Sequence, residues 1–274
     1  MKTSISILII IFGFAIFAPL LTPYPVSGDT SPKMGEQLSN RHLAPSIKHP
    51  FGTDELGRDI FARTLYGTRI SLGVGLAARI LAVIIGGLIG SIAGFYGGKT
   101  DFILSRLIEI FLAFPSLILA IGIGTALGSG LLTVIIAIVA VSWVDVAVLI
   151  RAVSAEISKR DFVMAARAIG EPESMILFKH VIPHCYAPLI VTFSFGIASA
   201  VMIEASLSFL GLGSSGNSVL GPSWGWMIYT AEAYLGVAPW AVFGPGLFLA
   251  MTVFGWNMLG DSLRDKFDVK AELR

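Results

Sequence analysis

The chain alternates between long apolar runs and polar spacers of very unequal length. The apolar runs cover residues 4–21, 70–93, 102–127, 131–150, 187–210 and 241–259. Each is close to the ~20 apolar residues an α-helix needs to cross the hydrocarbon core of a bilayer. They are continuously apolar instead of alternating residue by residue, which predicts membrane helices and not the strands of a barrel. Between them lie residues 22–69, a short turn at 94–101, a tight turn near 128–130, a polar stretch at 151–186 and a loop at 211–240. Within the runs, Gly86, Gly90 and Gly94 recur at helical spacing and line one face of the second helix, where they permit close helix contact. Pro115 sits inside the third run, where it removes a backbone hydrogen bond and predicts a kink.

Composition closes the soluble alternative. Only 14% of the 274 residues are charged and 55% are apolar, against about 25% charged in a soluble domain. That much hydrocarbon would leave a soluble fold with a largely apolar surface. The chain reads as an all-α integral membrane protein in direct contact with the lipid bilayer. A net charge of +1 provides no basic excess for phosphates, which excludes a nucleic-acid partner. The single cysteine, Cys185, excludes a disulfide framework and a cysteine-rich metal site.

The placement of Lys and Arg orients the helices. With the N-terminus inside, the inner segments hold Lys2, Lys99, Arg151, Lys159, Arg160, Arg167, Lys179, Arg264, Lys266, Lys270 and Arg274. The outer Lys and Arg all fall in residues 22–69, and residues 211–240 have none. Both termini and the stretch 151–186 are expected in the cytoplasm of a cell with this protein in its plasma (inner) membrane, and Asn217 outside. The first run has the outline of a cleaved signal peptide, but no small-x-small site follows cleanly and Pro19, Leu20 and Leu21 prolong it, so a retained helix is expected. The chain then divides into a first helix and external loop (1–69), a five-helix core with an inner loop (70–262) and a cytoplasmic tail (263–274).

Candidate chemistry is sparse. Residues 93–100 nearly match the phosphate-cradling G-x-x-x-x-G-K-[ST], with Ala93 in place of the first glycine, but they follow a membrane helix where that loop requires a strand. His42 and His49 lie in the outer loop and His180 and His184 in the inner one, with no metal-ligand spacing, and Pro183 interrupts the face of the second pair. Nothing here points to a metal, a cofactor or a catalytic residue. Arg79, Glu109, Asp145 and Glu204 fall within or near the ends of spans, where an ionisable group marks a pathway or a buried pair. Arg79 is expected to pair with Glu109 or Glu204, or to face a substrate. Asp145 lies near enough to the inner end to be simply wet.

The inner stretch carries the strongest pattern. Residues 160–170 read as a short helix with Asp161 as N-cap and Gly170 as its C′ stop. Glu171-Pro172 starts a second helix, which is expected to end at Pro183. Such an elbow exposes Phe162, Met164, Ala165 and Ala166, small and apolar groups suited to another protein's groove.

On these residues the chain resembles a known family. Ala165-Ala166, Gly170 and Pro183 match the E-A-A-x3-G-x9-I-x-L-P loop of permease subunits in ATP-binding-cassette (ABC) importers, with Met164, His180 and Ile182 departing from the consensus at the glutamate, isoleucine and leucine positions. His49-Pro50-Phe51-Gly52-Thr53-Asp54-Glu55-Leu56-Gly57-Arg58-Asp59 resembles the signature of the oligopeptide/dipeptide/nickel permeases, on their C-type subunit. So do Gly67-Thr68-Arg69-Ile70-Ser71-Leu72, Ala113-Phe114-Pro115, Ser208-Phe209-Leu210-Gly211-Leu212-Gly213, Pro222-Ser223-Trp224-Gly225 and Asn257-Met258-Leu259-Gly260-Asp261-Ser262-Leu263-Arg264-Asp265, in order. The resemblance implies a permease fold working with a second permease subunit, two ATP-binding subunits docked on the elbow and an external substrate-binding protein. It implies peptide import, with nickel or a nickel chelate as the alternative cargo. An ion-coupled carrier acting alone should show inverted repeats, and a membrane enzyme a convergent nucleophile–base or metal set. The sequence shows neither.

Overall fold

The computed structural model describes residues 1–24, 40–213 and 221–272, with side chains as far as residue 267. Its helices are α1 (Lys2–Leu21), α2 (Ile60–Tyr96), α3 (Gly98–Leu112), α4 (Ser116–Leu127), α5 (Leu131–Ile157), α6 (Asp161–Ala168), α7 (Glu173–Ile176), α8 (Tyr186–Phe209), α9 (Trp224–Glu232) and α10 (Trp240–Glu272). Among the described residues the only pairing of β type is an isolated bridge between Thr53 and Asp59.

Five helices, α1, α2, α5, α8 and α10, are each long and apolar enough to cross a bilayer alone. The third apolar run behaves differently from the expected kinked helix. It breaks into α3 and α4, which meet at 84°. Pro115 is the cause: without an N–H it cannot continue α3, and its extended backbone makes it the N-cap of α4. The second and fourth runs also extend past their apolar limits, α2 back to Ile60 and α5 on to Ile157. At its start α2 is capped by Asp59, whose side chain accepts from the Ala62 N–H at 2.6 Å.

The glycine face of α2 packs as its spacing predicts. A Cβ on Gly86, Gly90 or Gly94 would strike the carbonyls of Trp143, Ala147 and Arg151 in turn, so α2 and α5 touch backbone to backbone over two turns. Several threonine hydroxyls inside the bundle are satisfied locally. Thr64, Thr68 and Thr252 each donate to the carbonyl four residues earlier, which suits a hydrocarbon surround that offers no water. Pro19 in α1 leaves the carbonyl of Ala15 without its helical donor, and Arg69 of α2 supplies one, Nε to oxygen at 2.6 Å.

At the end opposite the elbow, the segment following His49 forms a tight cap. Gly52 and Gly57 both adopt positive φ, at 73° and 72°, and a side chain on Gly52 would collide with Trp240. The short α9 tucks under this cap. Ser223 caps it through the Trp226 N–H. Trp224, fully buried, donates from its indole to the Thr64 carbonyl at 3.0 Å and from its backbone to Ser71.

Candidate functional site

The polar stretch between α5 and α8 folds into an elbow on the end of the bundle. Its first arm, α6, closes on Gly170 at φ 82°. The Gly170 N–H reaches the Arg167 carbonyl and the Glu171 N–H the Ala166 carbonyl, so two free carbonyls of the last turn are satisfied through a left-handed C′ residue. Gly211 ends α8 by the same construction. At the other end of α6 the cap is Arg160; Asp161 lies inside the first turn and makes no side-chain capping bond, so its contribution there is its charge near the helix N-terminus.

Val163 and Ala166, one turn apart, face inward. They join Phe95, Val146, Ile150, Ile157, Ile176 and Leu177 in one apolar cluster. Ala166, expected on the docking surface, is therefore buried at 6% exposure. Phe162, Met164 and Ala165 do lie exposed, joined by Ile169 at 83%, Met175 and Phe178. The sequence reading missed the last three because it took Ala165-Ala166 as a unit. The signal was present in the spacing of three between Val163 and Ala166, which marks the inner face of a short helix.

Pro183 does not end the second arm. The chain widens into a π-turn at Leu177–Val181, with the Ile182 N–H reaching back to the Leu177 carbonyl, and the helix resumes through Ile182–His184 toward α8. The wider turn accommodates a proline ring and its missing donor without breaking the rod.

Ion pairs hold the two arms together. Arg167 binds Glu173 through two nitrogens at 2.9 and 3.2 Å and lies over the Phe95 ring. Glu171, which follows Gly170, takes His180 at 2.9 Å and Lys179 at 3.3 Å. The hydrogen bond from His180 foremost, with Lys179 beside it, holds the Glu171 carboxyl below the usual range. Phe162 stacks on His184, ring centres 4.8 Å apart. The His184 Nδ1 donates to the His180 carbonyl at 2.6 Å. Burial pushes the Cys185 thiol up to about 11.

The charges inside the bundle pair otherwise than expected. The partner of Arg79 is Asp145, at 3.1 Å, and neither Glu109 nor Glu204. Because α5 runs on to Ile157, Asp145 stands near the middle of the helix and is no end residue. Glu109 pairs with Arg106 on the exposed face of α3. Glu204 is buried near α9 and takes the Ser208 hydroxyl at 2.7 Å. Residues 93–100 span the last turn of α2 and the first turn of α3, and Gly97 and Gly98 only turn the chain from one helix into the next. Asn217 and the side chain of Lys270 lie outside the described residues.

Residues 86–272 match the family described as the binding-protein-dependent transport system inner membrane component. The chain belongs to this family. As a permease it is 43% identical over 274 residues to the dipeptide transport system permease protein DppC of Alkalihalophilus pseudofirmus, covering 99% of this chain and 87% of that protein. It is 39% identical to the oligopeptide transport system permease protein OppC of Bacillus subtilis, covering 96% of this chain and 83% of that protein. A chain of the MetNI methionine ABC transporter shares the fold, with a TM-score of 0.58 at 18% identity, over 72% of this permease and 92% of that chain. Permeases of this family are inner-membrane components of ABC importers that work with another permease, ATP-binding subunits and a binding protein; ATP hydrolysis resides in those separate subunits.

Proposed function

We propose that this permease forms one half of the translocation pathway of a peptide importer. Its similarity to dipeptide and oligopeptide permeases over nearly its whole length supports peptide cargo over nickel. A second, related permease completes the pathway. Two ATP-binding subunits dock on the elbows, and an external binding protein delivers the peptide to the opposite face. The concentration of Lys and Arg around the elbow supports placing it, and both termini, in the cytoplasm.

One observation carries the coupling role: the elbow presents apolar side chains on both faces. Its inner side is sealed into the bundle by Val163, Ala166 and Ile176, while its outer side presents Met164, Ile169 and Phe178 to solvent. An exposed apolar patch of this kind marks a protein contact. A push on it moves the ends of α5 and α8 together, since the elbow joins them in sequence and packs on both. ATP binding in the partner subunits then tilts the helices between inward- and outward-facing states.

The test is uptake of a labelled dipeptide into proteoliposomes holding the complete complex and its binding protein. Accumulation that needs ATP inside is expected. Accumulation by this chain alone, without ATP or partners, contradicts the proposal in favour of an ion-coupled carrier.

A further inference from the structure

We propose that Asp145, clamped by Arg79, is an ammonium-binding point on the wall of the translocation pathway, where it takes the free N-terminus of a passing peptide. The inference rests on the peptide-importer reading and assigns one contact within it.

The argument begins with exposure. The Asp145 side chain is 56% exposed while that of Arg79 is 1% exposed. An anion open at the middle of a membrane helix cannot face hydrocarbon, where charges are expensive and turn toward water-filled cavities. Its surroundings indicate such a cavity. Asp145, Leu149, Ala152 and Glu156 follow one another at single-turn spacing along α5, and all four are exposed. The stripe runs down to a hollow of about 350 Å³ between α5, the elbow and α8, lined by Glu156, Arg160, His184 and Pro188 among others. One turn above Pro188 on α8 is Thr192, whose carbonyl takes an Arg79 hydrogen bond at 2.8 Å. Asp145 thus stands at the head of a groove between two helices that opens at the elbow end.

The chemistry fixes what it binds. Arg79 grips both carboxylate oxygens, at 3.3 and 3.1 Å, and is itself anchored to the carbonyls of Ser142 and Thr192. This bidentate grip sets the carboxylate plane and leaves its outer lone pairs directed into the groove. A carboxylate accepts hydrogen bonds and donates none, so its ligand is a donor and preferably a cation. The group shared by unmodified peptides of every sequence is the N-terminal ammonium. Because Arg79 already neutralises Asp145 within the chain, the complex needs no cation from a second subunit. The same neutralisation keeps the hold on an ammonium weak enough for onward passage.

The test uses the complete detergent-solubilised complex carrying Leu149→Cys with Cys185→Ser, which puts a thiol one turn below Asp145 and leaves the ion pair intact. The rate of modification by the cationic thiol reagent MTSET is measured alone, with alanyl-alanine, and with N-acetyl-alanyl-alanine. Modification is expected, slowed several-fold by the free dipeptide and unaffected by its acetylated form, with the protection lost on adding Asp145→Asn. No modification at position 149 overturns the proposal, because the second permease then covers the groove. Equal protection by both peptides also overturns it, and this comparison stands even if Asp145→Asn fails to assemble. Protection that survives Asp145→Asn overturns it as well. Peptide uptake by the same complex, reconstituted into proteoliposomes with its binding protein, is measured in parallel. Uptake without selective protection rejects the ammonium site alone, whereas absence of uptake by an assembled wild-type complex rejects the peptide-importer reading.

Discussion

At position 196 a single hydrogen atom decides whether Arg79 can lie between α5 and α8. A Cβ there would fall on the guanidinium group itself, so Gly196→Ala should expel Arg79 and strip Asp145 of its partner. Overpacking of this sort costs about 1–3 kcal/mol, read as a lower melting temperature of the purified complex. Arg69 has a similarly local task. Arg69→Met returns the Ala15 carbonyl to the unsatisfied state that Pro19 created, at a cost of about 1–3 kcal/mol. Its check is the thermal stability of the same complex, in which a Pro19→Ala change in the same chain should recover most of the loss by restoring the helical donor. Cys185 is fully buried, and its thiol is pushed up to about 11. The native protein should therefore stay unmodified by maleimide at neutral pH and react only after denaturation; rapid labelling of the folded chain would contradict the packing described for the elbow's root.

Among the elements, the elbow separates two effects that its sequence alone had merged. Ala166→Glu forces a carboxylate into the cluster of Val163, Ile176 and Leu177 and should destabilise the elbow itself by several kcal/mol. Met164→Glu alters the solvent face and should leave folding intact while weakening retention of the ATP-binding subunits on co-purification. Gly170→Val places a branched side chain at φ 82°, a strain of about 1–3 kcal/mol, which should lower substrate-stimulated ATP hydrolysis by the complex. The helices, their glycine contacts and the stop at Gly170 were legible in the sequence because each is written in a local pattern: an apolar run, a spacing of four, a glycine after a helical segment. What was not legible depended on partners distant in the chain or on backbone detail. The pairing of Arg79 with Asp145 needed the true length of α5. The right-angled break at Pro115 and the π-turn before Pro183 share a residue type yet end differently, one stopping a helix and the other being absorbed into it. The inward turn of Ala166 follows from where α6 lies on the bundle.

For the whole molecule, the account rests on force entering at one end of the bundle and being expressed between its helices. The elbow is the only part of the described chain that is both packed onto the ends of α5 and α8 and apolar toward solvent, and the same two helices flank Asp145. The cap built around Gly52, Trp240 and α9 closes the opposite end and, in the proposed orientation, meets the binding protein. The most direct measurement places a photo-activated cross-linker at Ile169, which is 83% exposed, and at Tyr234 on the opposite end, within the assembled complex in native membranes. The account predicts that position 169 captures an ATP-binding subunit and position 234 does not. Capture of that subunit from position 234, with none from 169, would contradict it.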